Sequence, residues 1–96
     1  MTYNGKVAIV TGGGTGIGRH SALALLNNGY SVSIAGRRMD PLETTIQQAG
    51  DSKDRIMAVQ TDVGDPKAVQ TLFAKTIERF GRLDVLFNNA GFGAPS

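Results

Sequence analysis

The stretch Thr-Gly-Gly-Gly-Thr-Gly-Ile-Gly, at residues 11–18, decides how this chain of 96 residues folds. It follows an unbroken apolar run at residues 7–10, which is typical of a strand buried on both faces of a parallel sheet. It continues into residues 15–28, which have helical spacing and are followed by Gly29, a residue type that commonly ends a helix. The side chains at that spacing are Ile17, Ser21, Ala24 and Leu25. The stretch therefore predicts a tight turn between a first strand and a first helix.

A second strand and a second helix are predicted from the next residues. Residues 31–35 are rich in β-branched side chains and form the strand. The spacing of a helix start is present at Asp40, Pro41 and Glu43. The aspartate is placed to cap the first amides, the proline suits the first helical position, and the glutamate stands where the acid of a capping box reaches back to the start of the helix. This helix is predicted to run to residue 49 and to stop at Gly50.

The same alternation continues to the end of the chain. Residues 55–61 predict a third strand, and residues 83–87 predict a fourth. Between them, the pair Asp65-Pro66 marks the start of a third helix and Gly81 marks its end. Its apolar face has the clearest helical spacing in the chain. The members of that face are Val69, Leu72, Phe73, Thr76, Ile77 and Phe80.

Strands that alternate with helices predict an α/β fold with a doubly wound parallel sheet, the Rossmann fold, in which helices cover both faces. The expected strand order is 3-2-1-4, and residues 1–96 form one segment, the N-terminal half of such a sheet. The fourth strand would leave apolar side chains and unpaired backbone groups at a sheet edge. Native proteins usually avoid such an edge, so we expect further strands to follow.

The composition argues against several kinds of partner. Lys and Arg number 10 against 8 Asp and Glu, and they are scattered along the chain, so we expect no nucleic-acid partner. The chain has no cysteine, which excludes disulfides and thiolate metal sites and fits a reducing cytoplasm. Its apolar runs are far too short to cross a bilayer, so we expect no membrane association. We assign no metal site.

The glycine-rich stretch also predicts an anion site. Three of its glycines allow a tight turn and let the backbone approach a diphosphate, whose charge is met by free amides and the positive end of the helix dipole. Gly18 allows the helix to pack closely on the strands. The alternative, a turn without a ligand, is disfavoured by its place in a β-α-β unit. The residues assigned to this contact are Gly12, Gly14, Thr15, Gly16, Ile17 and Gly18, and the threonine hydroxyl either bonds a phosphate or caps the helix.

Three motifs in order resemble those of the short-chain dehydrogenase/reductase family. The glycine spacing at residues 11–18 is TGxxxGxG, Asp62-Val63 ends the third strand, and Asn88-Asn89-Ala90-Gly91 ends the fourth. The resemblance implies that Asp62 accepts from the adenine of a dinucleotide and that the Val63 backbone lies beside it. It also implies that Asn89, Ala90 and Gly91 line the ribose side of the cleft. Two alternatives stay open: Asp62 as a turn-forming residue, and Asn89 as a residue that holds the fourth strand.

The end of the second strand predicts which dinucleotide is bound. Proteins that bind NAD usually carry an acid there, which bonds the 2′-hydroxyl of the ribose. Here the position is Gly36, and Arg37 and Arg38 follow it. A guanidinium makes bidentate, charge-assisted contacts with a 2′-phosphate. The sequence therefore favours NADP(H) over NAD(H) as the cofactor. The alternative is that both arginines belong to an ordinary solvated loop.

The resemblance implies an oxidoreductase that reduces carbonyls or oxidises alcohols of small molecules by hydride transfer. The catalytic Ser and Tyr-x-x-x-Lys of that family have no counterpart here, because neither Tyr3 nor Tyr30 precedes a lysine at that spacing and Ser96 comes too early. We therefore assign no catalytic residue and expect residues 1–96 alone to be inactive. Arg19 and His20 are interpreted as surface residues.

Two other functions are weighed against this one. A non-catalytic dinucleotide-binding or sensing module would keep the fold without the chemistry. A methyl-donor-binding transferase would place an acid where Gly36 stands, and it is disfavoured for that reason. Members of the resembled family are often dimers or tetramers. The helices that usually make those contacts come later than residue 96, so a homo-oligomer stays open.

Overall fold

The computed structural model describes residues 4–14 and 16–89 and alternates strands with helices. The elements are β1 (Val7–Thr11), α1 (Gly16–Asn27), β2 (Ser31–Gly36), α2 (Met39–Gln48), a 3₁₀ helix (Gly50–Arg55), β3 (Ile56–Gln60), α3 (Pro66–Phe80) and β4 (Val85–Asn88). Each strand and α-helix corresponds to one predicted from the sequence. Only the 3₁₀ helix was not predicted.

The strands form one parallel sheet in the order β3-β2-β1-β4, which confirms the predicted topology. Thr11, the last residue of β1, pairs with Ala35 on one side and with Asn88 on the other. The carboxyl ends of these three strands therefore meet at one edge of the sheet. In sheets of this kind, ligands bind in the crevice beyond that edge.

Helices cover both faces of the sheet, as a doubly wound fold requires. The cluster on the face of α1 and α2 contains Val10, Ala22, Leu26, Val32, Ile34, Leu42 and Ile56. The cluster on the face of α3 contains Ile9, Ala35, Val59 and Leu72. Consecutive residues of β1 and β2 thus enter opposite clusters. This explains why the apolar sequence of β1 is continuous rather than alternating.

The buried face of α1 is rotated by about one residue from the spacing noted in the sequence. Its buried residues are Gly18, Ala22 and Leu26, whereas Ile17 is 74% exposed. The rotation follows from Gly18, which must face the glycine turn (Gly12, Gly13, Gly14 and Gly16) because a side chain at residue 18 would overlap this turn. Close backbone approach therefore sets the orientation of this helix, and the apolar spacing does not.

The predicted start of α2 is wrong by two residues. The helix begins at Met39, with Arg38 as an extended N-cap residue (φ −113°, ψ 130°) that makes no side-chain capping bond. Asp40 and Pro41 lie inside the first turn. Amides of the first turn have no partner within the helix, so proline is tolerated throughout that turn and marks a helix start only approximately. The proposed capping roles of Asp40 and Glu43 are therefore wrong.

The connection from α2 to β3 also differs from the prediction. Gly50 has a positive φ of 57°, but it opens a 3₁₀ helix that continues to Arg55, so the strand begins one residue later than predicted. The Arg55 guanidinium donates to the carbonyl oxygens of Tyr30 (2.5 Å) and Leu26 (3.3 Å). These long-range bonds hold Arg55 against the end of α1, and local sequence gives no sign of them.

Both predicted ends of α3 are confirmed. The Asp65 carboxylate accepts from the amide of Lys67 at 3.0 Å, and Pro66 occupies the first helical position. Gly81 has a φ of 85° and closes the helix with a bond from its amide to the Ile77 carbonyl. These terminal signals depend on local backbone geometry, which explains why they could be predicted from sequence.

The fourth strand is shorter than predicted and lies at the edge of the sheet. It begins at Val85 and ends at Asn88, and Leu86 and Phe87 are 49% and 41% exposed. The expectation that further strands follow stays a prediction. Among residues 4–14 and 16–89, no helix has the length and apolar character needed to cross a bilayer.

Asp84 explains why β4 starts late. Its carboxylate accepts from the Val7 amide at 2.8 Å and from Arg82 at 2.6 Å, and its own amide donates to the Val7 carbonyl at 2.8 Å. The chain thus meets β1 at Val7 through both the backbone and the side chain of Asp84, before regular pairing begins. The hydrogen bond from Arg82, followed by that from the Val7 amide, lowers the pKa of Asp84 below the ordinary aspartate value.

We expect Asp84→Asn to reduce the acid sensitivity of the fold. A lowered pKa means that the ionised carboxylate stabilises the folded state above the pKa of an unfolded aspartate, and this contribution disappears as pH falls through the lower folded-state value. At neutral pH the variant should melt below the unmodified protein, and the difference in Tm should shrink on acidification. Thermal melts at a series of pH values, from neutral to acidic, measure this difference in Tm. Asp51→Asn serves as the charge-matched control, and a difference in Tm that stays constant with pH would contradict the assignment.

Candidate functional site

The glycine turn forms the predicted corner between β1 and α1. Gly12 and Gly16 have positive φ values of 67° and 53°, which L side chains rarely adopt. The amides of Gly12 and Gly13 both donate to the Ala35 carbonyl, at 2.7 and 3.2 Å, so the turn is fixed to the end of β2. A Cβ at Gly16 would meet nothing within 4 Å. Space for a ligand therefore remains beside the start of α1.

Gly18 has a more demanding position than its predicted packing role implied. A Cβ at this residue would lie 1.8 Å from the Gly12 carbonyl oxygen and 3.2 Å from the Gly13 Cα. The close contact is with the turn itself rather than with the strands. Only glycine at this position lets the first turn of α1 approach the glycine turn so closely.

Gly14 contributes packing rather than an unusual backbone conformation. It has no positive φ, and a Cβ there would lie 2.8 Å from the Pro41 Cβ. Gly13, which the sequence analysis did not single out, is equally restricted, since its Cβ would lie 2.6 Å from the Ile34 Cβ. The run of three glycines thus lets the turn fit between β2 and α2.

Arg37 and Arg38 border a cleft at the end of β2. The cleft measures about 110 Å³ and is lined by Gly12, Gly14, Gly36, Arg37, Arg38, Pro41 and Leu42. The glycine turn and the two arginines therefore share one concave surface. Both arginines are exposed, so their guanidinium groups are accessible to an anion in the cleft.

Asp62 lies beside Arg37, at the end of the adjacent strand. One of its carboxylate oxygens is 3.7 Å from an Arg37 nitrogen, and the same oxygen accepts from the Gly64 amide at 2.9 Å. The turn-forming role considered for Asp62 is therefore present in the structure. The side chain is 55% exposed, so it is also accessible to a ligand.

Val63 lines a second cavity, which does not include Asp62. This second cavity measures about 160 Å³ and is lined by Thr11, Val63, Val69, Leu72, Phe73, Leu86 and Asn88. It lies on the α3 side of the sheet, between β1 and β4. Val63 thus borders this second cavity, whereas Asp62 lies beside Arg37.

Two hydrogen bonds of a single hydroxyl, one donated and one accepted, join the carboxyl ends of β1 and β4. The Thr11 hydroxyl donates to the Asn88 side chain and accepts from the Asn89 amide, both at 2.9 Å. The Asn89 backbone therefore helps to hold β4, as one of its alternatives proposed. Its side-chain Nδ2 is buried and has no hydrogen-bond partner within the described part of the chain. A buried donor without a partner is costly, so this atom needs an acceptor.

Three predicted site residues, Thr15, Ala90 and Gly91, lie outside the described residues. Ile17 lies directly after the turn, with its side chain 74% exposed. His20 is exposed, as predicted. The predicted contacts of Thr15, Ile17, Ala90 and Gly91 with a cofactor stay predictions.

Arg19 was predicted to be a surface residue, but it is only partly exposed. Its guanidinium donates to the Thr45 hydroxyl at 2.9 Å, to the Pro41 carbonyl at 3.1 Å and to the Gly14 carbonyl. The side chain is partly buried between α1 and α2. The sequence reasoning missed it because two of its three acceptors, on Pro41 and Thr45, belong to a helix 22 or more residues away in the chain.

A parallel sheet ordered 3-2-1-4, with a glycine turn at the end of its first strand, defines a Rossmann-type protein. Comparison with known families identifies the chain more closely. The model of the short chain dehydrogenase family matches residues 6–96, and the chain belongs to this family.

Individual relatives agree with this assignment. The chain is 45% identical over 91 residues to a short chain dehydrogenase/reductase of Aspergillus oryzae, covering 94% of this chain and 35% of the relative. It is 43% identical over 96 residues to the 15-hydroxyprostaglandin dehydrogenase [NAD(+)] of Macaca fascicularis, covering 95% and 35%. The crystal structure of an actinorhodin polyketide ketoreductase variant with NADPH superposes with a TM-score of 0.86 at 34% identity, covering 95% and 35%. The chain thus spans about a third of the length of these relatives.

Proposed function

We propose that this chain is the cofactor-binding part of an oxidoreductase that uses NADP(H) to reduce carbonyls or oxidise alcohols of small molecules. Membership of the short chain dehydrogenase family supports the reaction class. The relatives described above are named dehydrogenases or reductases, which favours an enzyme over a non-catalytic module. When bound, the nicotinamide ring of the cofactor accepts or donates the hydride.

One observation carries the choice of cofactor: the glycine turn and two exposed arginines border the same cleft. A dinucleotide with a 2′-phosphate has two anionic groups, a diphosphate and a phosphate on the adenosine ribose. The free amides of the turn suit the first, and the planar guanidinium groups of Arg37 and Arg38 suit the second. Gly36 leaves no carboxylate at the position that would bond a 2′-hydroxyl and repel the phosphate.

Other parts of the site fit the rest of the cofactor. The buried Asn89 Nδ2 lacks an acceptor among the described residues, and a ribose hydroxyl beside Gly12 would supply one. Space beside Gly16 leaves room for the diphosphate. Asp62 and Val63 are exposed at the end of β3, where the adenine is expected. Two independent features, an unpaired donor and an open backbone turn, thus support the same ligand.

The cofactors named for two relatives differ, so family membership alone does not decide between NAD and NADP. The Macaca fascicularis dehydrogenase carries NAD(+) in its name, whereas the ketoreductase structure contains NADPH. The decision for this chain therefore rests on Arg37 and Arg38. The substrate contacts and the proton donor are expected outside residues 1–96, so we assign no catalytic residue to this chain.

Calorimetric titration of NADPH and NADH tests the proposal. We expect the unmodified chain to bind NADPH more tightly, because only NADPH has a 2′-phosphate for the arginines to bind. Arg37→Asp should lose at least about tenfold in NADPH affinity, since a charged hydrogen bond is removed and a repelling carboxylate is added. Its affinity for NADH should change little.

Arg79→Asp makes the same change of charge on α3, away from the cleft, and should leave both affinities nearly unchanged. The cofactor assignment would be overturned by a preference for NADH in the unmodified chain. An unchanged preference in Arg37→Asp would exclude Arg37 as the phosphate ligand.

A further inference from the structure

Arg19 links the glycine turn to α2. From the first turn of α1, its Nε donates to the Thr45 hydroxyl at 2.9 Å, and its Nη2 donates to the Gly14 carbonyl and to the Pro41 carbonyl, the latter at 3.1 Å. The first acceptor of Nη2 belongs to the glycine turn, and the second belongs to the first turn of α2. One side chain therefore connects the two walls of the cleft.

Thr45 extends this link. It is fully buried, and its hydroxyl lies 2.8 Å from the Gly13 carbonyl and 3.2 Å from the Pro41 carbonyl. A hydroxyl has one proton, so it donates best to the nearer Gly13 oxygen while it accepts from Arg19. The carbonyls of Gly13 and Gly14 are thus both directed toward the Arg19 and Thr45 side chains.

This arrangement orients amides of the turn. In a trans peptide the carbonyl and the following amide point in opposite directions. Because Thr45 holds the Gly13 carbonyl on the α2 side, the Gly14 amide is directed away from α2. Amides that are fixed in this way form anion-binding sites without further movement. Arg19 and Thr45 therefore hold the turn in the form that an anion requires.

The charge of Arg19 is used inside the protein. Its guanidinium is committed to three acceptors, whereas the Arg37 side chain is 65% exposed. Arg37 is accessible to a phosphate, and Arg19 acts through the groups that it holds. Arg19 is for that reason a positioning residue and not a phosphate ligand.

We propose that Arg19, together with Thr45, sets the distance between the glycine turn and the two arginines that follow β2, Arg37 and Arg38. This distance in turn determines how strongly the protein prefers a dinucleotide with a 2′-phosphate. The inference rests on the proposed NADP(H) function. A ligand with anionic groups at both places must meet both at once, so its affinity depends on their separation. A ligand without the 2′-phosphate needs only the turn. Loosening the link should therefore weaken NADPH binding more than NADH binding.

The test compares affinities for NADPH and NADH, measured by cofactor fluorescence, in Arg19→Gln, Arg19→Lys and Thr45→Val. For Arg19→Gln we expect a loss of about tenfold for NADPH and about twofold for NADH, as for a site that has lost its preorganisation. Arg19→Lys should lose nearly as much selectivity, because an ammonium keeps the charge but lacks the planar fork. Thr45→Val keeps the buried volume and removes the hydroxyl. It should therefore also reduce the preference for NADPH over NADH.

Arg79→Gln is the matched control. Its guanidinium also donates to a backbone carbonyl of another element, that of Asp54 at 3.1 Å, but it lies outside the cleft. This variant should keep the unmodified ratio. Thermal melts show that each variant is folded at the temperature of measurement, and Thr45→Val carries the test if both Arg19 variants unfold.

The outcomes separate this inference from the proposed function. If the unmodified chain does not prefer NADPH, the proposed cofactor and the role of Arg19 both fail. If it prefers NADPH and the ratio is unchanged in the Arg19 and Thr45 variants, only the role of Arg19 fails. Equal losses for both cofactors would reduce Arg19 to a structural role. If Arg19→Lys keeps the unmodified ratio of NADPH to NADH affinity, the selectivity depends on the charge of residue 19 and not on the position of its guanidinium.

Discussion

Gly18→Ala is expected to destabilise the protein by about 3 kcal/mol or more, the upper end of the cost of overpacking. The new Cβ would lie 1.8 Å from the Gly12 carbonyl oxygen, which belongs to the backbone and cannot move without opening the turn. Helix propensity predicts the opposite sign, because alanine is favoured over glycine inside a helix by about 1 kcal/mol. The overlap is the larger effect, so we expect net destabilisation. Urea unfolding measures the difference.

The same variant should lose NADPH binding at a temperature where it is still folded, because an opened turn no longer directs its amides to one point. Gly81→Ala is the control: it lies in open space with a φ of 85°, so it carries only the cost of a left-handed conformation, about 1–2 kcal/mol. It should bind NADPH normally. A stabilised Gly18→Ala would show that α1 does not approach the turn as closely as described.

Gly18 also illustrates how much of the fold was predictable. Residues 7–10 and the glycine spacing predicted the strand, the turn and the helix, because continuous apolar runs and positive φ values leave local signals. The strand order followed from the handedness of parallel crossovers. The orientation of α1 did not follow, because it is set by a contact between Gly18 and Gly12 that the apolar spacing does not reveal.

The candidate site was predictable where its function depends on residue type. Arg37 and Arg38 were assigned from their position after β2, and the structure places them beside the glycine turn. The roles of Arg19 and Gly13 were missed, since both depend on contacts with residues of α2 or β2 that are distant in sequence. The start of α2 was misplaced because Pro41 fits any position of a first turn.

Leu42→Ala should also have a large effect, and it tests whether the cleft depends on the core beneath it. Leu42 is fully buried in the cluster on the α1 and α2 face, and it also lines the cleft. Its Cδ2 lies 3.5 Å from the position that a Cβ at Gly36 would take. Truncation to alanine should cost about 3 kcal/mol, within the usual range for a buried leucine. Urea unfolding again measures this loss.

NADPH affinity then separates the two roles of Leu42. Leu26 belongs to the same cluster but does not line the cleft, so Leu26→Ala should lose similar stability and retain its affinity. Leu42→Ala should bind NADPH more weakly at a temperature where both variants are folded, because the corner that carries Arg37 and Arg38 loses its support. If both variants bind equally well, the position of the arginines is fixed by the sheet and by the Arg19 link alone. The packing of α2 would then stabilise the fold without shaping the phosphate site.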